Sequence, residues 1–203
     1  VQMTLHTYPG LIQGTDEWLT QRRGIITASV VGSLITPKTI KPASNPESRR
    51  ITTLLVAERI TGWTDPTYVS DDMERGMFDE PIARRKYAEH YAPVVEDGFM
   101  VRDDWGFRIG YSTDGLVGDD GLIEIKSRRA KAHLGTIIAG HPPIENMAQL
   151  QCGLLVSGRK WVDYISWCGG MLMYVKRVTP QQKWFDAIID AVRAFEANAA
   201  EMM

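Results

Sequence analysis

A carboxylate and an ammonium group lie two residues apart in a short apolar segment near the middle of the chain. The segment LIEIKS carries Glu124 and Lys126. Side chains two apart in a strand project from one face, so we expect these two to point together while Ile123 and Ile125 point into packing. Asp114 ends the preceding segment, FRIGYSTD, and is expected to meet Glu124 across the intervening turn.

The chemistry that these residues suit is metal-assisted hydrolysis of a phosphodiester. Two converging carboxylates repel each other unless a cation lies between them, and a hard divalent ion with oxygen ligands fits. Mg²⁺ held by Asp114 and Glu124 can activate a water molecule, and Lys126 can orient that water or neutralise developing charge. The alternative is a solvated edge strand with an ordinary ion pair, because a Glu-x-Lys triplet is expected on the order of once in such a chain.

The composition excludes several classes of function. The chain has 203 residues, 44% of them hydrophobic and 24% charged, which is typical of a folded domain rather than a disordered one. No apolar run approaches the roughly 20 residues of a membrane span, and no charged leader precedes an apolar block, so we expect a cytoplasmic protein. Cys152 and Cys168 are too few for a four-thiolate metal site, and we expect them to be unpaired and at least half-buried.

The charge pattern is more informative than the net charge of -2, which argues against broad coating of nucleic acid. Acidic residues gather in DDMERGMFDE and again between Asp114 and Glu124. Basic residues follow at Lys126, Arg128 and Arg129. An acidic pocket beside a basic strip is what a site needs if it handles phosphates through metal ions.

The elements that must position these residues form a mixed α/β pattern, with a central mixed β-sheet flanked by helices. Strands are predicted in VVEDGFMVR, FRIGYSTD, LIEIKS, WVDYISW and LMYVKRV. A helical stretch over 70–91 is interrupted at Pro81, where we expect a kink or a fresh start. The other helices are predicted from Thr15 to Gly24, from about Ser29, from Arg50 to Ile60 after an exposed loop, over 144–156, and after a capping box at Thr179 and Gln182.

Four segments, in this order, resemble the lambda exonuclease and YqaJ-type viral alkaline exonuclease family, a branch of the PD-(D/E)xK nuclease superfamily. They are WLTQRRGIITAS, RGMFDEPIARRKY, STDGL with IEIK, and MAQLQCGLLVSG, and together they span roughly 18–167. The resemblance implies a restriction-endonuclease-like core and a single exonuclease domain over 1–203. Thr113 stands where the lambda pattern has proline, which removes a rigid turn residue but no reacting group.

The resemblance implies a metal centre with a catalytic lysine. Asp114, Glu124, Glu80 and the main-chain carbonyl of Ile125 would be the metal ligands, and Lys126 would be the catalytic lysine. The simpler interpretation of Glu80 is an acidic residue favoured at a helix start. Two Mg²⁺ ions are implied, for which Mn²⁺ can substitute.

The resemblance also implies a pocket for a terminal 5′ phosphate, formed by Arg22, Ser29 and Ser112. Helix N-termini offer free N–H groups and arginine offers a bidentate fork, which agrees with that role. Ser29 is also compatible with a plain helix cap. Gln149 and Gln151 cannot face one way from a helix, and we favour Gln151 at the catalytic site with Gln149 as the second choice.

The implied function is a Mg²⁺-dependent 5′→3′ exonuclease that degrades one strand of linear duplex DNA to 5′-mononucleotides. A homotrimeric ring, a single-strand annealing partner in recombination, and a phage or prophage gene expressed in the bacterial cytoplasm are implied as well. A restriction or repair endonuclease would share Asp114, Glu124 and Lys126 but would not need Arg22 and Ser29. A non-catalytic DNA-end-binding domain is the third hypothesis, and divalent-metal binding would discriminate against it.

Overall fold

The computed structural model describes residues 4–66 and 68–203, which form helices and strands in an α/β arrangement. The helices are α1 (Asp16–Arg22), α2 (Ala28–Val31), α3 (Pro46–Thr61), α4 (Asp71–His90), α5 (Ala130–Ala139), α6 (Ile144–Ser157) and α7 (Gln182–Met202). The strands are β1 (Leu5–Tyr8), β2 (Ile26–Thr27), β3 (Ile35–Thr36), β4 (Lys41–Pro42), β5 (Phe99–Arg102), β6 (Ile109–Tyr111), β7 (Gly115–Val117), β8 (Gly121–Ser127), β9 (Trp161–Trp167) and β10 (Tyr174–Val178).

The strands pair into two four-stranded mixed sheets and a small ribbon of β3 and β4. The first sheet has the order β1-β5-β6-β2, in which only β2 and β6 are parallel. The second has the order β10-β9-β8-β7, in which only β8 and β9 are parallel. The predicted fold class of mixed sheet flanked by helices is confirmed, although the pairing divides the strands between two sheets.

Strand β8 lies inside its sheet, between β7 and β9. Glu124 on this strand is only 2% exposed, and Ile123 and Ile125 on the opposite face pack against Ala83 and Tyr87 of α4. The interpretation of a solvated edge strand is therefore wrong. The same packing holds α4 against the strand that carries Glu124.

The amphipathic C-terminal helix agrees with the sequence pattern. On α7, Trp184, Ile188, Val192 and Phe195 are buried in the larger hydrophobic core, where they join residues of α2, α3 and α6. The helix begins at Gln182 without a side-chain cap, so the predicted capping box is wrong.

Two other predicted helix boundaries are wrong. Helix α3 begins at Pro46 rather than Arg50, because Asn45 and Ser48 form a capping box and proline suits the first helical position. Helix α4 continues through Pro81, so of the two expected outcomes, a kink or a fresh start, the fresh start is wrong. Proline removes a single helical N–H donor, and packing of α4 on β8 beyond that point supports a continuous helix.

Two expectations from composition can be compared with the structure. Cys152 is buried, Cys168 is half-buried and both are free thiols, as predicted. Among residues 4–66 and 68–203, no helix combines the length and apolar character that crossing a bilayer requires.

Candidate active site

A single pocket, with a cavity volume of about 200 Å³, gathers the predicted site residues from six parts of the chain. It lies where α1, α2, the turn after β6, α4, β8 and α6 meet. Every predicted site residue except Gln151 lines it. They are Arg22, Ser29, Glu80, Ser112, Asp114, Glu124, Ile125 and Lys126.

Strand β8 forms the acidic floor of this pocket. The alternation of β8 directs Glu124 and Lys126 to one face, where Lys126 Nζ lies 2.9 Å from Glu124 Oε1. Asp114, in the turn between β6 and β7, accepts a hydrogen bond of 2.6 Å from the main-chain N–H of Ile125 through Oδ2. Asp114 therefore contacts the strand across the turn, at the residue that follows Glu124.

The pocket concentrates negative charge. Burial, followed by the charges of Glu124 and Glu80, raises the pKa of Asp114 well above its usual range. Burial also raises the pKa of Glu80, against the opposing effect of Arg84. Burial disfavours the Lys126 ammonium, but Glu124 and Asp114 outweigh it and raise the pKa of this lysine.

The residues present suit a hard divalent cation. Glu124 Oε2 is buried, and no donor among the described residues hydrogen-bonds to it. The donor set of Glu80, Asp114, Glu124 and the Ile125 carbonyl consists of oxygen atoms, the ligands that Mg²⁺ prefers. Within the described ranges, no three Asp, Glu, His or Cys side chains form a ready cluster for a metal ion.

The carboxylates make other interactions instead of converging. Glu80 forms an ion pair with Arg84, and Asp114 turns one oxygen to the backbone of Ile125. Arg84 also donates to the main-chain oxygen of Asp114 at 2.7 Å and pairs with Glu96 at 3.1 Å. Sequence reasoning missed Arg84, although its position four residues after Glu80 on a helix is the signal for such a pair.

The choice of Gln151 at the site is wrong, and Gln149 occupies the pocket. Gln149 Nε2 donates to Glu124 Oε1 at 2.5 Å, and Gln149 Oε1 accepts from Lys126 Nζ at 2.9 Å. Gln151 is fully buried and points elsewhere, because it donates to the Thr179 carbonyl at 2.9 Å and accepts from a main-chain N–H at 2.8 Å. Helix α6 is buried on most of its surface, so its apolar residues do not form a single stripe. The sequence pattern therefore does not show which of the two glutamines faces the pocket.

The basic side of the pocket is built by α1 and α2. Trp18 and Arg22 lie four residues apart on α1, so they share a face, and the guanidinium carbon lies 4.1 Å from the indole ring centre. Arg22 Nη2 is 3.3 Å from Ser29 Oγ and 3.4 Å from Thr27 Oγ1. The indole N–H of Trp18 donates to Ser112 Oγ at 3.0 Å. Arg22, Ser29 and Ser112, the three predicted phosphate-binding residues, are therefore connected, and we call them the Arg22 cluster.

Trp18 supports this cluster from the core. It is 6% exposed and packs with Ile25, Phe99 and Val101, as expected for a core indole. Burial lowers the pKa of Arg22 and a nearby carboxylate, Glu58, opposes that effect. Arginine remains a cation at neutral pH, so the pocket has an acidic side and a basic side.

An α/β fold with mixed sheets, a buried Glu-x-Lys strand and flanking carboxylates is the arrangement of a PD-(D/E)xK nuclease core. The family described as "YqaJ-like viral recombinase domain" matches residues 17–160 of the chain. The chain therefore belongs to this family.

Solved structures agree with this assignment. The chain is similar to the alkaline exonuclease LHK-Exo from Laribacter hongkongensis, with 30% identity and a TM-score of 0.82 over 93% of this chain and 94% of that one. LHK-Exo in complex with dAMP matches with 31% identity and a TM-score of 0.80 over the same shares, 93% and 94%. A phage-related exonuclease from Haemophilus somnus 129PT, at 12% identity and a TM-score of 0.59 over 88% of this chain and 96% of that one, shares the fold. No curated protein matches the chain.

Proposed function

We propose that this protein is a divalent-metal-dependent exonuclease that degrades one strand of linear duplex DNA from its 5′ end. The observation that carries the proposal is that the Asp114–Glu124–Lys126 group and the Arg22 cluster line the same pocket. Family membership and the likeness to an alkaline exonuclease support a nuclease role. The dAMP complex of that relative supports a deoxynucleoside monophosphate as the product released here.

The acidic side would hold the metal ions. Glu80, Asp114, Glu124 and the Ile125 carbonyl are the proposed ligands, with Mg²⁺ as the native ion and Mn²⁺ as a substitute. The bound ion would supply Lewis-acid charge at the scissile phosphodiester. Lys126 Nζ lies 2.9 Å from both Glu124 Oε1 and Gln149 Oε1. Its third N–H group can therefore donate to a phosphate oxygen or orient the attacking water.

The basic side would bind the terminal 5′ phosphate. The Arg22 guanidinium offers a planar fork, and the hydroxyls of Ser29 and Ser112 offer further donors beside it. A terminal phosphate fixed in this cluster would place the first internucleotide phosphate toward the acidic side of the same pocket. An endonuclease needs no group that binds a terminus, so the Arg22 cluster favours the exonuclease.

The test is digestion of linear duplex DNA with 5′-phosphate or 5′-hydroxyl ends, beside a closed circle, with and without Mg²⁺. We expect Mg²⁺-dependent loss of the phosphorylated linear duplex, abolished in Lys126→Ala and retained in Lys160→Ala. Lys160 is the matched control because it pairs with Asp120 at the surface. Cutting of the closed circle would support the endonuclease instead, and DNA binding without cutting would support the non-catalytic domain.

The assembly and the partners are also part of the proposal. Met73, Met77, Phe78 and Ile82 are between 40% and 70% exposed on α4. Met73 and Met77 share one side of the helix, and Phe78 and Ile82 share another, because each pair is four residues apart. Exposed apolar side chains of this kind support contact with another subunit, such as the implied homotrimer. Light scattering would test the trimer, co-purification would test the annealing partner, and limited proteolysis would test a single domain over 1–203.

A further inference from the structure

Gly24, between α1 and β2, is held from two sides by the last turn of α3. Its N–H donates to Glu58 Oε2 at 2.8 Å, and its carbonyl accepts from Arg59 Nε at 2.6 Å. Two consecutive side chains of α3 thus satisfy both main-chain polar groups of Gly24. We call Glu58 and Arg59 the Gly24 clamp.

The clamp fits glycine alone. Gly24 has a φ of +67°, a left-handed conformation that other residues rarely adopt. A Cβ built at this position would lie 2.5 Å from Arg59 Cγ and 3.3 Å from the Leu55 carbonyl oxygen. The clamp and the backbone conformation therefore depend on each other.

The clamped residue connects the two halves of the Arg22 cluster. Arg22 lies two residues before Gly24 at the end of α1, and Thr27 and Ser29 follow it at β2 and α2. The 3.3 Å approach of Arg22 Nη2 to Ser29 Oγ spans this turn. Fixing Gly24 therefore fixes how the guanidinium and the hydroxyls are placed relative to each other.

The clamp is itself anchored in the core of the fold. Arg59 makes two hydrogen bonds of 2.7 Å to the carboxylate of Glu196 on α7 and lies 5.0 Å over the ring of Phe195. Glu58 is 8% exposed. Its charge also faces Arg22, where it opposes the cost of burying the guanidinium. Neither clamp residue is among those that line the pocket, so we expect both to act through Gly24.

We infer that Glu58 and Arg59 are positioning residues that set the preference for a phosphorylated 5′ end by holding Gly24. The inference rests on the proposed role of the Arg22 cluster. The candidate metal ligands lie on other elements, so loss of the clamp should change the discrimination between ends more than the hydrolysis itself.

The measured quantity is the ratio of initial rates on 5′-phosphate and 5′-hydroxyl duplexes. Glu58→Ala removes the acceptor and the charge, and we expect the ratio to fall about tenfold while the 5′-hydroxyl rate stays within about twofold. Glu58→Gln keeps an acceptor for the Gly24 N–H but removes the charge, so its ratio should fall by less. Arg59→Lys keeps the charge without the fork and should lower the ratio as Glu58→Ala does.

Controls separate this inference from the proposed function. Glu89→Gln changes an exposed carboxylate paired with Lys86 on α4 and should leave the ratio unchanged. If Glu58→Ala does not fold, as judged by circular dichroism, Glu58→Gln and Arg59→Lys decide. If the folded clamp variants keep the wild-type ratio of rates while Arg22→Ala loses the preference for a 5′ phosphate, the role of the clamp is overturned and the terminal-phosphate pocket is not. A wild type without end preference would overturn the terminal-phosphate pocket itself.

Discussion

Gln149 and Gln151 offer a matched pair of substitutions, because the same change to alanine removes two hydrogen bonds at each position. At Gln151 the lost partners are the main-chain carbonyl of Thr179 and the main-chain N–H of Gln181, at 2.9 and 2.8 Å. At Gln149 they are side chains in the pocket, namely Lys126 and Glu124. We therefore predict that Gln151→Ala reduces stability and that Gln149→Ala reduces activity.

The magnitudes follow from what each change leaves without a partner. Gln151→Ala leaves two main-chain groups unpaired beside a core position, at about 1–2 kcal/mol each, or about 2–4 kcal/mol in total. For a chain of about 200 residues this corresponds to a fall in Tm of roughly 5–15 °C. Gln149→Ala leaves the Lys126–Glu124 ion pair in place, so both charged groups keep a partner and the loss of stability should be smaller than that of Gln151→Ala. Activity should fall about 10- to 100-fold because the Lys126 ammonium loses one of its two fixed partners.

Thermal denaturation without metal and initial rates on 5′-phosphorylated linear duplex, measured at 25 °C, give the two quantities for each variant. The rates are taken well below the Tm of Gln151→Ala so that unfolding does not enter. Loss of activity in Gln151→Ala at an unchanged Tm would refute the assignment of the two glutamines. So would a Gln149→Ala protein with full activity.

Two further predictions concern titratable groups. Because the pKa of Asp114 is raised in the folded protein, the folded state keeps a proton that the unfolded chain has lost, so metal-free stability falls as the pH rises through that pKa. Asp114→Asn should therefore flatten the decline in Tm that the wild type shows as the pH rises above about 4 in a chelator, and an equal decline in variant and wild type would contradict this. Burial raises the pKa of the Cys152 thiol, so a thiol reagent near neutral pH should label the half-buried Cys168 first in the native protein and both cysteines after denaturation. Rapid native labelling of Cys152, detected by peptide mass spectrometry, would count against the packing of α6.

Local periodicity accounts for the parts of the fold that the sequence predicted well. The two-residue repeat of β8 is enough to place Glu124 and Lys126 together, and the stripe on α7 is enough to identify its buried face. The order of the four family segments supplied the remaining candidate positions. The repeat on β8 and the stripe on α7 depend only on residues near each other in the chain, and the four segments depend on the known family pattern.

The features that could not be predicted depend on contacts between distant segments. Which face of α6 meets the pocket is decided by its packing against both sheets and α7, so the sequence could not choose between Gln149 and Gln151. The continuity of α4 through Pro81 depends on its packing against β8. Glu58 lies 34 residues from the glycine that it holds, and no spacing rule connects them.

The most direct test of the proposed exonuclease is product analysis on linear duplex DNA labelled at one end. In Mg²⁺, the protein should release a 5′-terminal label early as a mononucleotide and retain a 3′-terminal label in a single strand, with no reaction in a chelator. Early release of the 3′ label, or internal fragments in place of mononucleotides, would contradict the account.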